Sequence, residues 1–297
     1  LYDLASQSSL SAIVDEPTLA DANAKLAMSQ SLSQTVGAPI AGALVQLVGG
    51  ILAVLVDAIS YCISAALIKS LPPWDRPRPR APEGGGPRGI ASGVFEGVRI
   101  LAGDEHLRRT AGIMAVLNLG GSIVGALFLV FTYRTLMLDP ATVGVILAVG
   151  SLGGLAASIV APRIQRALGV TQTIRVSALG ASSALWLIPA SAIGLAPLVL
   201  ILYEAAFSFS ATVFWICQVT LRQQRVASEV QGRTHAAVRV IALGTLPVGA
   251  FIGGIAASTL GVSNAIVLGC AAAFAGCVLL SLRWPGTQDW HQSLLHS

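Results

Sequence analysis

Two carboxylates stand inside long apolar runs of this chain: Glu204 in PLVLILYEAAFSFSATVFWICQV and Asp57 in ILAVLVDAISYCISAALI. An ionised carboxylate in hydrocarbon costs about 2.5–3.5 kcal/mol even on the lenient insertion scale, so each needs a partner, a cavity or a proton. Such an acid is suited to binding and releasing a proton as its surroundings change. Glu204 shares a helical face with Phe207, Ser208, Ala211 and Trp215, and there a proton- or substrate-handling role is the stronger reading. Asp57 lies about six residues, roughly 9 Å, inside its run. Ser60, Tyr61 and Ser64 follow at i+3, i+4 and i+7, so a hydrogen-bonded contact with a neighbouring helix is the stronger reading there.

Other polar and aromatic positions are weaker signals. Asn118 and Ser122 put a polar edge beside Gly121 and Gly125, a pattern that serves helix packing. Phe207, Phe209, Phe214, Trp215 and Trp186 could line a site for amphiphilic compounds, although lipid-facing or interfacial filler is their ordinary use. Arg239, just inside its run, is expected to snorkel outward. Enzyme chemistry finds no footing. There is no phosphate-binding glycine loop with lysine, and none of His106, His235, His291 and His296 is expected inside an apolar run or beside a nucleophile. Cys62, Cys217, Cys270 and Cys277 lie in apolar segments without C-x-x-C or metal spacing, and read as buried, inert thiols. No metal or cofactor is expected.

The elements that hold these residues are set by composition. Of 297 residues, 54% are hydrophobic and 11% charged, and the mean hydropathy is +0.75. Soluble domains carry about 25% charged residues, and even a large buried core would need a polar covering. The chain is therefore an all-α integral membrane protein. The net charge of +4 does not indicate nucleic acid, because the basic residues sit in short segments between apolar runs.

Spans are expected at Leu26–Val48, Ile51–Ile68, Thr110–Thr132, Ala141–Ala161, Val176–Ala192, Pro197–Val219, Val238–Thr259 and Ala265–Leu282. Between the second and third lies PPWDRPRPRAPEGGGPRG, residues 72–89, a linker of prolines, glycines and arginines. A short amphipathic helix at Ile90–Leu101 follows, with Ile90, Val94, Val98 and Leu101 on one face and a place on the membrane surface. With the linker inside, 17 of the 18 lysines and arginines fall on one side of the bilayer and Arg134 alone on the other. That asymmetry places the linker and the C-terminus in the cytoplasm, with the spans in the plasma (inner) membrane. Thr220–Gly254 condenses the pattern. A polar loop holding Arg222, Arg225, Arg233 and Arg239 feeds an apolar helix with Gly244, Pro247, Gly249, Gly253 and Gly254.

The linker also divides the chain. Gly37-Ala-Pro39-Ile-Ala-Gly42 before it and Gly244-Thr-Leu-Pro247-Val-Gly249 after it occupy the same place, in the helix preceding the final hairpin of each part. Repeated halves of this kind are a transporter pattern. Together with Leu19-x-x-Ala22-Asn23, Asp57-x-x-Ser60, Leu221-Arg-Gln223 with Gly232-Arg233, and Pro247-x-Gly249-x3-Gly253-Gly254, they make the chain resemble the major facilitator superfamily, in its twelve-helix drug and siderophore (macrolide-type) export branch.

The resemblance implies that the spans are helices 5 to 12, with residues 1–14 the end of helix 4 and the chain truncated at its N-terminus. Residues 1–71 then end the first six-helix half, 72–107 form the cytoplasmic linker with its interfacial helix, and 108–297 are the second half. It also implies proton-coupled export of small amphiphilic compounds by alternating access, with a lipid bilayer, a substrate, protons and the missing N-terminal helices as partners. Gly37, Pro39, Gly42, Pro247, Gly249, Gly253 and Gly254 would serve packing, and Arg163, Arg166, Gly232 and Arg233 gating. Ala38 separates Gly37 from Pro39, and Pro162 stands where the family's gating loop often has aspartate. A non-transporting scaffold or an inactive fragment is the alternative.

Overall fold

The computed structural model describes residues 21–26, 28–29, 55–67, 87–150, 152–227, 230–282 and 284. Gly37, Pro39, Gly42, most of the first two expected spans and residues 72–86 of the linker lie outside the described residues. Among those described there are helices and connections but no strand. Residues 21–26 and 28–29 are helical, and the helices that follow are α1 (Leu55–Leu67), α2 (Pro87–Gly103), α3 (Glu105–Val130), α4 (Pro140–Gly150), α5 (Leu152–Leu168), α6 (Val170–Ala184), α7 (Ala196–Arg225), α8 (Gln231–Leu260) and α9 (Val262–Leu282). A turn of π-helix extends α3 to Thr135, and short helical turns carry α6 to Ile193.

Among the described residues, six stretches are long and apolar enough to cross a membrane: Glu105–Thr135, Thr142–Leu168, Val170–Ile193, Ala196–Arg225, Gln231–Leu260 and Val262–Leu282. Most outrun the spans expected from hydropathy at the ends that carry arginine. The supposed loop of four arginines is a correction. Arg222 and Arg225 occupy the last turns of α7 while Arg233 and Arg239 ride on α8, leaving only a short connection from Val226. Arginine is a good helix former, and backbone groups near a bilayer are best satisfied within a helix, so apolarity ends before the helix does. Two cations in the last turn of α7 also suit its dipole.

Packing sorts the bundle into two sets. α3 lies against α8 and α9, while α7 lies against α4, α5 and α6, and α9 joins the sets through α6. Their interior falls into two layers. One contains Ile113, Ile174, Ile216 and Leu221 toward the arginine-bearing end; the other contains Phe131, Leu185, Leu200 and Ile266 toward the opposite end. The outward faces stay apolar, as Leu243, Leu246, Val248, Phe251 and Ile255 on α8 illustrate. In water so large a patch would drive association; against lipid tails it is an ordinary outer surface.

Close crossings are made where side chains are missing. A Cβ on Gly249 would overlap Ser122 and the Leu119 carbonyl, and one on Gly253 would press on Ile123, so both glycines face α3. Gly153 abuts the Ala205 backbone, and Gly120 abuts Gly269 and Ala273. Gly121 and Gly125, paired with Asn118 and Ser122 as a packing edge in the sequence, meet nothing within 4 Å. Their neighbour Gly120 makes the contact instead, because the face of α3 turned toward α9 is one residue removed. Gly232, Gly244 and Gly254 also meet open space, and Pro247 is exposed.

α2 runs along the start of α8. Gly97 lets the Arg233 backbone approach, and Arg233 Nη1 donates to Glu96 Oε1 and Oε2 at 2.7 and 2.6 Å. Leu101 of the expected apolar row is buried and Val98 is exposed, so the packed face includes Gly97, Glu96 and Ile100. Asp104 caps α3, accepting from the Leu107 amide at 3.0 Å and from Arg225 Nη1 at 2.7 Å. Burial pushes this carboxyl up, but the Leu107 amide, Arg225 and the His106 amide together hold it below the usual carboxylate range.

A depressed acid contributes stability that is complete above its ordinary value of 3.8 and is lost as pH falls through the lowered one. Acidification below about pH 4 is therefore expected to lower the thermal midpoint in detergent less for Asp104→Asn than for the native protein. Parallel acid profiles would remove Asp104 from this role.

Candidate functional site

A cavity of about 440 Å³ opens between α3, α7 and α8, with Ala181 of α6 at its side. Its apolar wall is Met114 and Leu117 from α3, and Phe207, Phe214 and Trp215 from α7. Its polar wall is Asn118, Gln218, Arg222, His235 and Arg239. These residues meet because α7 is long and continuous. Positions 207, 211, 214, 215, 218 and 222 recur at three- and four-residue intervals and turn one stripe of the helix toward α3 and α8.

The polar groups form a defined arrangement. Arg222, 5% exposed, donates from Nη1 to Gln218 Oε1 at 3.0 Å, and its Nη2 lies 3.0 Å from His235 Nδ1. A guanidinium has no acceptor, so Nδ1 must accept and the imidazole proton rests on Nε2. No carboxylate among the described residues pairs with Arg222. The ion pairs there are Arg109–Glu105, Arg225–Asp104 and Arg233–Glu96, and none of these acids lines the cavity.

Of the residues singled out in the sequence, Asn118, Phe207 and Trp215 come together at this cavity. Glu204 does not line it. The Glu204 side chain turns toward α4, filling space that Gly150 leaves open, with Ser208 in hydrogen-bonding reach. Asp57 is exposed on α1, and Ser60 donates to its backbone carbonyl at 2.7 Å rather than to its carboxylate. Arg163 and Arg166 are exposed at the end of α5. Ser122 lies on the α3–α8 crossing and Trp186 is exposed, whereas Phe214 belongs to the cavity and Phe209 packs against the core.

Three further readings need correction. His235 is inside a membrane-length helix and lines the cavity, and His106 is likewise within Glu105–Thr135, because both helices begin before their apolar cores. Arg239 lines the cavity instead of simply turning outward. Cys62 is exposed, since no described residue covers α1, whereas Cys217, Cys270 and Cys277 are buried. The signal that could have found the polar wall is the spacing of Gln218 and Arg222 on the stripe of Phe214 and Trp215, opposite His235 and Arg239 at i and i+4. No group of three or more metal-ligating side chains occurs among the described residues.

At the arginine-bearing end, Asn23 is fully buried and donates from Nδ2 to Thr220 Oγ1 at 3.2 Å and to Gln223 Oε1 at 2.6 Å. It ties the stretch that precedes α1 to the end of α7, just beyond the polar wall of the cavity.

A model of the family described as "Transmembrane secretion effector" matches residues 1–294. Among solved structures, the chain is similar to the crystal structure of a bacterial homologue of the iron transporter ferroportin in an outward-facing state. The TM-score is 0.67 and the identity 19%, over 92% of this chain and 66% of that one. At that identity the likeness concerns the fold alone, and this chain spans just under two thirds of the other protein's length. No curated protein matches it. The family match runs through the six-helix bundle and the stretch before it, so this multi-pass membrane protein belongs to the transmembrane secretion effector family, within a superfamily of transporters and not of enzymes: the major facilitators.

Proposed function

We propose that the chain is the larger part of a secondary transporter that exports small amphiphilic compounds in exchange for protons by alternating access. The observation that carries this reading is the cavity between α3, α7 and α8, lined by aromatic and polar side chains together. Concave sites of this kind, largely apolar with a few convergent polar groups, are where proteins hold small ligands. In transporters such a site lies between helix sets that can rock against each other. Residues 108–297 supply one half of the translocation path, and 1–71 the end of the other. Residues 72–107 link them on the cytoplasmic side of the inner membrane, where the arginines collect. The tie from Asn23 to Thr220 and Gln223 joins the two halves at that end, and it is a contact that rocking would break.

Proton coupling is assigned to Glu204. It is an acid within a membrane-length helix, three residues from Phe207 of the cavity wall, so a change in its charge would be felt by α7 and α4. The experiment uses the full-length protein in liposomes with an imposed pH gradient and fluorescent amphiphiles of positive, neutral and negative charge. Flux of at least one is expected to follow the gradient and to collapse with a protonophore. Glu204→Gln should lose gradient-driven flux yet keep exchange of labelled for unlabelled compound. Gradient-driven flux that survives in Glu204→Gln removes Glu204 from coupling, and no flux of any compound removes the transport reading.

A further inference from the structure

We infer that the compounds this cavity accepts are organic anions, with an acidic head against Arg222, His235 and Arg239 and an apolar body along Phe207, Phe214 and Trp215. The inference rests on the reading of the cavity as a substrate site and adds the charge of the substrate to it.

Arg222 carries the argument furthest. Buried charges in proteins are paired, and a cation in a membrane-spanning helix is costly without a partner. Arg222 is 5% exposed, yet its hydrogen-bond partners among the described residues are the neutral amide of Gln218 and the accepting nitrogen of His235. These satisfy two of five N–H donors and none of the charge. Arg239 adds a second guanidinium to the same lining, and no aspartate or glutamate is among the described residues that line the cavity.

Arg222 therefore brings a charge without a carboxylate among the described residues to a cavity of about the volume of a small-ligand site. A carboxylate, sulfonate or phosphate head supplies what Arg222 lacks, and arginine's planar fork suits its paired oxygens. The aromatic wall on the same helix sets the other requirement, a flat or apolar body beyond the head. A cationic amphiphile would meet like charge at close range, so the wall excludes as well as selects.

The test compares three probes sharing one ring system: 2-naphthoate, 2-naphthamide and 2-naphthylmethylammonium. Binding to the full-length protein is measured by equilibrium dialysis in nanodiscs of phosphatidylcholine alone, so that no anionic lipid competes, with empty discs subtracted. Naphthoate is expected to bind about tenfold tighter than the amide, with the ammonium weakest. Arg222→Gln and Arg239→Gln should each cost naphthoate about tenfold while the amide stays within about twofold, which also reports that the variants are folded. Arg134→Gln, exposed at the opposite end of the bundle, should change none of the three.

Amide or ammonium binding as tightly as naphthoate would overturn the inference and leave the transport reading standing. So would an equal loss of all three probes in both arginine variants, which would make these residues helix clamps. No binding of any probe to folded native protein would overturn both the inference and the cavity's assignment as a ligand site.

Discussion

Gly120→Ala is expected to destabilise the bundle by about 2–3 kcal/mol, whereas Gly121→Ala, one residue along, should be neutral or slightly stabilising. A methyl group on Gly120 would sit 2.6 Å from the Gly269 carbonyl oxygen and 2.6 Å from Ala273 Cβ. The first of these is backbone, so relief requires α3 and α9 to move apart. The same seam is tight from the other side: a Cβ on Gly269 would lie 2.9 Å from both Ile123 and Val124, and one on Gly276 would overlap Val116. Without a hydrophobic driving force between helices in lipid, association depends on such close contact, so separating the helices forfeits it along several turns. Gly121 meets nothing within 4 Å, and alanine there gains only helix propensity, about 1 kcal/mol at most. Thermal unfolding of the two variants in detergent checks the contrast. Equal midpoints would mean that the α3–α9 crossing is looser than the backbone geometry indicates.

What could be read in advance depended on which physical term was local. Low charge density and long apolar runs establish membrane helices without any knowledge of contacts, since each helix must satisfy its own backbone in lipid. The order of the six membrane-length helices and the gathering of arginines at their ends followed from the same term. Helix ends did not, because hydropathy drops where charge begins while helical hydrogen bonding continues, and this moved Arg222 and His235 from a supposed loop into the cavity wall. Phe207 and Trp215 were legible as a stripe and Asn118 as a polar packing edge, but periodicity alone could not say whether such a face meets lipid, protein or a cavity. Glu204 shows the converse. Three residues ahead of Phe207 it reads as part of the same face, and the rotation of one helix against another turns it to Gly150. Which of two adjacent glycines carries a crossing, Gly120 or Gly121, is likewise fixed only by the rotation of α3 against α9.

Arg222→Met is expected to separate stability from function: organic-anion binding should fall on the order of a hundredfold, with thermal stability unchanged or raised. Methionine is unbranched and apolar and can lie along the path of the arginine stem beside Met114 and Val238. Replacing a buried charge by a well-packed apolar side chain is often neutral or stabilising, because the desolvation cost of the charge disappears with it. Against this stands the loss of the bonds to Gln218 Oε1 and His235 Nδ1. Both acceptors face a cavity of about 440 Å³, large enough for water to take the place of the guanidinium. An imidazole can also change tautomer. The balance therefore favours the apolar replacement in the empty protein. It reverses once an anion is bound, because Met offers neither charge nor a donor to the head group. Thermal midpoints with and without 2-naphthoate measure both halves: the native protein should be stabilised by the probe and Arg222→Met should not. A large fall in the midpoint of ligand-free Arg222→Met would instead make this arginine the clamp that holds α7 to α8, and the cavity's charge a by-product of that contact.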